Sequence, residues 1–353
     1  MKFSEIGTGL TFDDVLLEPR LSSVNRREID LAAKLTNKIQ LEIPILSAAM
    51  DTVSNASMAI ALGKLGGLAV LHRNCSISEQ VGMVKKAKKS GVKVGAAVGP
   101  HDIERAAALY KAGAVAIFID CAHAHHTKII RDARLIRKSI KAQLVIGNIA
   151  TKEAAKVYLT IADALKVGIG PGSICTTRVV AGIGVPQLTA ISEVVSVAQK
   201  KNIPVIADGG IKYSGDIVKA LAAGAATVML GSMLAGAKEA PGKLVRLNGK
   251  LYKEYRGMGS LGAMSGGKSS DRYFQKGATK YVPEGVEGLI PYKGPVKEII
   301  WQAVGGLKSG MGYVGAHKIG ELPRQARFIR ITSASLKESH PHTVMISKKA
   351  PNY

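Results

Sequence analysis

Cys175 is the residue around which chemistry can be built. It lies in the run Gly168-Ile169-Gly170-Pro171-Gly172-Ser173-Ile174-Cys175-Thr176-Thr177-Arg178. Glycines at alternate positions let backbone N–H and C=O groups approach a ligand or ion, and Pro171 stiffens the loop. A thiol flanked by hydroxyls and followed by Arg178 sits in surroundings that favour a thiolate nucleophile. The plain alternative is a buried structural thiol. Cys75 and Cys121 lie far from it with no CxxC spacing. That pattern points away from a disulfide framework or a zinc site and towards a reducing cytoplasm.

Other residues extend the chemistry. Asp208-Gly209-Gly210 and Gly231-Ser232 follow two apolar runs, as do the paired small residues that bind phosphate through backbone N–H groups. Asp208 reads either as a helix cap or as a carboxylate that accepts two ribose hydroxyls. Asp120 reads as a ribose contact or as a cap or salt-bridge residue, and Asn148 as a donor to a carbonyl or a shaper of its turn. His123, His125 and His126 match neither the i, i+4 spacing of helical metal ligands nor a nearby Glu, so they are not read as a metal site. Further on stand Arg256-Gly257-Met258-Gly259-Ser260 and Ser270-Asp271-Arg272-Tyr273-Phe274. An Arg beside a Tyr on a mobile segment can deliver a base or an anion clamp on closure, the alternative being a surface charge.

The elements that position these residues show as a repeat. Eight apolar runs, 43–46, 68–71, 92–98, 115–119, 144–146, 164–169, 203–207 and 227–230, alternate with Ala/Lys/Glu-rich stretches at 57–64, 78–89, 102–111, 127–140, 152–160, 189–200 and 215–223. Runs without polar alternation suit parallel strands covered on both faces. Eight repeats, with Ser47-Ala48-Ala49-Met50 rather than a Gly-rich fingerprint after the first run, predict a closed (β/α)8 barrel instead of a doubly wound sheet. Active sites of such barrels gather at the C-terminal ends of the strands, where the Cys175 loop, Asp120, Asn148, Asp208-Gly209-Gly210 and Gly231-Ser232 fall. After the eighth run, residues 248–294 read as a mobile lid over the mouth, 295–308 as a helix, and 331–353 as a polar tail with too few apolar residues for a core, resting on a neighbour. Residues 1–353 read as one catalytic domain.

Composition sets bounds. At 353 residues, 46% hydrophobic and only 5% aromatic, the chain suits a soluble α/β protein with an aliphatic core. The net charge of +23 favours phosphate-bearing partners. It is spread along the chain, and no RNP-like motif, zinc finger or long basic block accompanies it, so nucleic acid is not read as the primary partner. The start, Met1 to Glu5, lacks the apolar core of a signal peptide. The uncharged stretch from Ala220 to Ala237 is interrupted by Gly224, Gly231 and Gly236 and reads as a buried helix-strand-turn unit, not a membrane span.

Together the motifs resemble the inosine-5′-monophosphate dehydrogenases, a family that includes GMP reductase. The likeness runs from Gly9-Leu10-Thr11-Phe12-Asp13-Asp14-Val15-Leu16-Leu17 through the Cys175 loop to Lys348-Lys349-Ala350-Pro351-Asn352-Tyr353. It implies attack of Cys175 on C2 of IMP, hydride transfer to NAD, and hydrolysis of the thioimidate to XMP, a step towards guanine nucleotides. Arg272 would then be the general base, with Thr177 and Tyr273 assisting. Substrate would be held by Ser173, Asp208, Gly210, Gly231, Ser232, Tyr255, Gly257, Met258, Gly259 and Glu284, and NAD near Asp120 and Asn148. Potassium would be bound by carbonyls of Gly170, Gly172 and Cys175 and by Glu338, Ser339 and His340 of a neighbour in a homotetramer. Two features depart from the family. No CBS modules follow the second run, since Leu71-His72-Arg73 leads through one helix to Val92. The segment 120–126 also has Ala and His where Gly and Ser are common. The Arg272-Tyr273 pair favours the dehydrogenase over GMP reductase, because only hydrolysis needs an activated water.

Overall fold

A computed structural model describes residues 6–265, 269–348 and 350–353. The first five residues, read above for a signal peptide, lie outside them, as do three residues of the expected lid and Lys349 of the tail. Eight parallel strands close into a barrel: β1 (Ile45–Ser47), β2 (Leu68–Leu71), β3 (Gly95–Val98), β4 (Ala116–Asp120), β5 (Gln143–Ile149), β6 (Ala164–Val167), β7 (Val205–Asp208) and β8 (Thr227–Leu230). The helices between them are α1 (Ala56–Lys64), α2 (Ile77–Lys89), α3 (Ile103–Ala112), α4 (Thr127–Ser139), α5 (Lys152–Tyr158), α6 (Gln187–Ala198) and α7 (Ser214–Ala222). After β8 comes α8 (Val296–Val314), which runs past the expected end at 308 and stops at Gly315 in the left-handed conformation, φ 82°. Capping marks several starts: Asp102 accepts from the Arg105 N–H and Thr151 from the Ala154 N–H. The stretch 220–237 is the end of α7, β8 and a one-turn helix, and no helix among the described residues is long and apolar enough to cross a membrane.

Period-two alternation divides the core in two. Leu165, Val167, Ile117 and Ile119 face the helices, while Ala164, Ala116, Phe118, Val145, Ile206 and Met229 fill the lumen. Gly95 makes room for Phe118, since a Cβ there would lie 2.7 Å from its ring. An antiparallel hairpin, Ala33–Thr36 with Ile39–Leu41, plugs the lower end with Leu35, Ile39 and Leu41. A second pair, Val15–Leu17 with Phe328–Arg330, ties the two ends of the chain together.

Two expectations need correction. The segment 248–294 is not an unstructured loop. Leu244–Leu247, Lys250–Arg256 and Glu287–Pro291 form a three-stranded antiparallel sheet. Its first turn is Asn248-Gly249, both with positive φ, the pairing that two-residue hairpins favour. The polar tail, in turn, rests partly on its own barrel: the Ile331 N–H donates to the Asp14 carbonyl at 2.8 Å, and Tyr353 stacks on Tyr213 with centroids 6.2 Å apart.

Candidate active site

The alternation that builds the lumen also builds the floor of the site. Asp120, Lys166 and Asp208 are the next inward positions above Phe118, Ala164 and Ile206, so three charged groups converge where the apolar layers end. Lys166 is only 1% exposed. Its Nζ donates to Asp208 Oδ2 at 2.5 Å, to Asp120 Oδ1 at 3.1 Å and to Asn148 Oδ1. Asn148 enters the lumen at a register shift between Gly147 and Ile149, and its Nδ2 donates to the Gly168 carbonyl at 2.6 Å and to Asp208 at 3.0 Å. Gly147 clears the way, since a Cβ there would lie 2.6 Å from Lys166 Cβ. A buried ammonium among two carboxylates and an amide oxygen is fully paired, which is the condition for charges to persist in a core.

Above this floor, the Cys175 loop rises from β6. Gly168 has φ 152°, and a Cβ there would lie 2.0 Å from the Asp208 carbonyl, so only glycine permits this crossing of the β6 and β7 ends. Cys175 Sγ donates to Thr177 Oγ1 at 3.3 Å. Arg178, read as the cation beside the thiol, instead donates to the carbonyls of Val185 at 2.7 Å and Ile169 at 3.5 Å, so it braces the loop. Cys121 is a different kind of thiol. It is fully buried at the end of β4, and burial pushes it up to about 12, which keeps it protonated and inert.

The other wall comes from the added sheet. The Gly257 N–H donates to the Val286 carbonyl, Val286 N–H to Ile174, and Thr176 N–H to Glu284, so this segment is laced to the Cys175 loop. Gly257 allows that approach, because a Cβ would meet the Ile174 carbonyl at 3.0 Å. Cys175, Thr177, Gly170, Gly172, Asn148, Asp208, Tyr255, Gly257, Met258, Arg272, Tyr273 and Glu284 line one cavity of about 130 Å³ together with Met50. Ser173, Gly210 and Ser232 line a second, of about 160 Å³, with Thr11, Arg178 and Lys212, and Pro171 belongs to both. Gly231 and Gly259 stand just behind. A Cβ on the first would lie 2.9 Å from the Tyr255 hydroxyl, and on the second 2.6 Å from the Tyr273 ring. Burial pushes Tyr255 up to about 12, with a hydrogen bond from Ser173 opposing.

Arg272 and Tyr273 lie in a short 3-10 turn, Ser270–Tyr273, docked into the mouth. The Ala122 N–H donates to the Arg272 carbonyl at 3.2 Å, and the guanidinium pairs with Asp120. Burial lowers Arg272 from its ordinary value, the Tyr273 side chain opposes this, and Arg73 reinforces it. Asp120 is therefore covered by the turn and does not line the cavity. His126 packs against Phe274 with centroids 5.3 Å apart, and His123 meets His125 edge to face at 6.2 Å. Glu338, Ser339 and His340 of this chain do not line either cavity; His340 stands 5.8 Å from the Tyr353 ring. Lys166, Met50 and Arg73 were missed by sequence reasoning. A Lys in the otherwise apolar run 164–169 was the available signal for the first.

The model of the IMP dehydrogenase / GMP reductase domain matches residues 9–342. The chain is 45% identical to inosine-5′-monophosphate dehydrogenase of Cryptosporidium parvum over the whole of both chains. It is 42% identical to that of Methanocaldococcus jannaschii, over 100% of this chain and 98% of the relative, and 41% identical to that of Aquifex aeolicus, over 99% and 98%. The alignment to the M. jannaschii protein spans 489 positions for 353 residues here, so this chain lacks internal sequence which that relative has. The short link from β2 to α2, residues 72–76, agrees with an absent insertion there.

Proposed function

The chain belongs to the IMP dehydrogenase / GMP reductase family, and we propose that it oxidises IMP to XMP with reduction of NAD. The observation that carries this reading is one cavity lined by both a cysteine nucleophile and an Arg-Tyr pair. Cys175 Sγ adds to C2 of the purine, and its proton passes to a neighbouring hydroxyl or water. C2 then surrenders a hydride, leaving a thioimidate on Cys175. Water adds to that carbon, Arg272 takes the proton with Tyr273 oriented beside it, and the C–S bond breaks to release XMP and the thiol. Thr177, at 3.3 Å from the sulfur, positions the thiol.

The substrate's purine lies over Cys175, with Met258, Gly257 and Glu284 at its edge. Its ribose meets Asp208 and Tyr255, and its phosphate lies among Ser173, Gly210, Gly231 and Ser232, with Gly259 and Tyr273 closing the wall. Bound NAD supplies the hydride acceptor. Asp120 and Asn148, held in place by Lys166, suit its nicotinamide half, provided that Arg272 leaves Asp120 first. For a monovalent cation such as potassium, the carbonyls of Gly170, Gly172 and Cys175 supply neutral oxygen donors. Glu338, Ser339 and His340 of a neighbour in a homotetramer would complete it. We read residues 1–353 as one catalytic domain without CBS modules, with a movable segment inside 248–294, acting in the cytoplasm.

The test is a paired-substrate assay. NADH should form from IMP and NAD and be abolished by Cys175→Ser. Oxidation of NADPH with GMP alone would replace this reading with GMP reductase. Salt-sensitive nucleic-acid binding that survives Cys175→Ser, without turnover, would replace both.

A further inference from the structure

Hydrolysis requires that Arg272 be held over the adduct, yet Arg272 belongs to a single turn with little apolar surface of its own to bury. Three features next to it have no part in substrate or cofactor binding as described above. Arg73, two residues beyond β2, is buried, with its side chain 8% exposed. Its Nη1 donates to both oxygens of Asp271, at 2.8 and 3.0 Å, and its Nη2 reaches the Asp120 carbonyl at 3.4 Å. Gly99, just beyond β3, lies under this pair: a Cβ there would stand 2.9 Å from Asp271 Oδ2 and 3.3 Å from Arg73 Nη1. The tops of β2, β3 and β4 thus form a socket for one carboxylate of the lid, and the residue after that carboxylate is Arg272.

We propose that Arg73 is a positioning residue for the hydrolytic half of the reaction, latching Asp271 so that the turn carrying Arg272 and Tyr273 stays docked. The inference rests on the function proposed above, but the latch itself is a statement about the unliganded protein. With Nη1 shared by both oxygens of Asp271 and Nη2 on the Asp120 carbonyl, one buried guanidinium ties the turn to the top of β4, a span that the single ammonium of a lysine covers less well. Neither Arg73 nor Asp271 lines the cavity, so the pair acts on the turn and not on substrate. Arg73 also bears on Arg272 electrostatically, since one guanidinium near another disfavours the second charge, in the direction that a base requires. Oxidation needs the turn away from Asp120 and hydrolysis needs it docked, so loosening the latch should affect the two halves oppositely.

Two measurements on the full chain test this. Hydrogen exchange of the unliganded protein reads the turn directly, through the amides of Arg272, Phe274 and Gln275, which donate to Ser269, Asp271 and Ser270. In Arg73→Met and Asp271→Asn these amides should exchange about tenfold faster or more, while those of β4 and β5 are unchanged. In stopped flow with IMP and NAD, both variants should keep the NADH burst while steady-state turnover falls about tenfold or more, with KM for NAD unchanged or lowered. Arg73→Lys should recover part of the turnover. Unchanged exchange with unchanged turnover would overturn the latch. So would a loss of burst and turnover in equal proportion, which would place Arg73 in binding. If wild-type protein formed no NADH, the functional reading would fall, and the exchange result alone would decide whether the latch exists.

Discussion

Lys166 shows what one side chain does for several others. Without its ammonium, Asp120 would keep only the Arg272 guanidinium and Asp208 only the Asn148 amide as partners at the top of the lumen. Removing one member of a buried ionic cluster typically costs about 3–5 kcal/mol, because the partners left behind stay desolvated. Lys166→Met should therefore lower unfolding stability by about that amount and raise KM for both substrates. Urea denaturation checks the first part, and a loss under about 1 kcal/mol would mean that the carboxylates find other partners. At this scale the sequence was informative wherever a residue type announced its chemistry. Cys175, Arg272, Asp208 and Asn148 all stood out and all meet at one place. Lys166 did not, because a single charge inside an apolar run looks like noise until the strand's alternation assigns it inward. Arg178 misled for the opposite reason, since nearness in sequence to Cys175 said nothing about where a long side chain would turn.

The link from β2 to α2 illustrates how an element sets a titration. His72 begins it, buried, with its Nδ1 lacking a hydrogen-bond partner among the described residues. Burial lowers its pKa from the ordinary 6.5, Asp51 opposing and Arg256 reinforcing. The fold therefore prefers neutral His72. Its contribution is complete above 6.5, where the unfolded chain is also neutral, and is lost as pH falls below that value and through the lower folded one. Thermal melts between pH 7.5 and 5, a span of about two to three units around an ordinary histidine, should show acid destabilisation that His72→Gln reduces. Parallel acid limbs for wild type and variant would contradict this. The eight barrel strands and the seven helices between them were legible to within three residues at each end, because each had an apolar period and often a capping residue. The sheet over 244–291 was not: its longest strand, Lys250–Arg256, is rich in Lys, Tyr and Glu, the two flanking strands are short and largely exposed, and only Asn248-Gly249 hinted at a hairpin. The hairpin under the barrel was hidden for a similar reason, being two short strands whose three inward residues matter only once the lumen exists to receive them.

For the molecule as a whole, closure of the barrel is what brings distant segments to one mouth. Residues from positions 50 to 284 share a single cavity because β1 pairs with β8, so the ends of all eight strands form a ring. The tail's partial return onto α7, through Tyr353 and Tyr213, could not be read from its polar composition, because a few aromatic contacts suffice to hold a segment that buries little else. Trp301, 74% exposed on α8, lines a groove on the barrel exterior together with Asn352. The central claim joins the two walls of the cavity: Cys175 from the barrel forms the bond, and Arg272 from the added segment clears it. Quenching the enzyme during turnover of IMP with NAD, followed by digestion and mass spectrometry of the Cys175 peptide, tests this most directly. A nucleotide adduct on Cys175 that accumulates to near one per chain in Arg272→Gln is the predicted result; steady NADH formation from IMP with no adduct on Cys175 in either protein would contradict it.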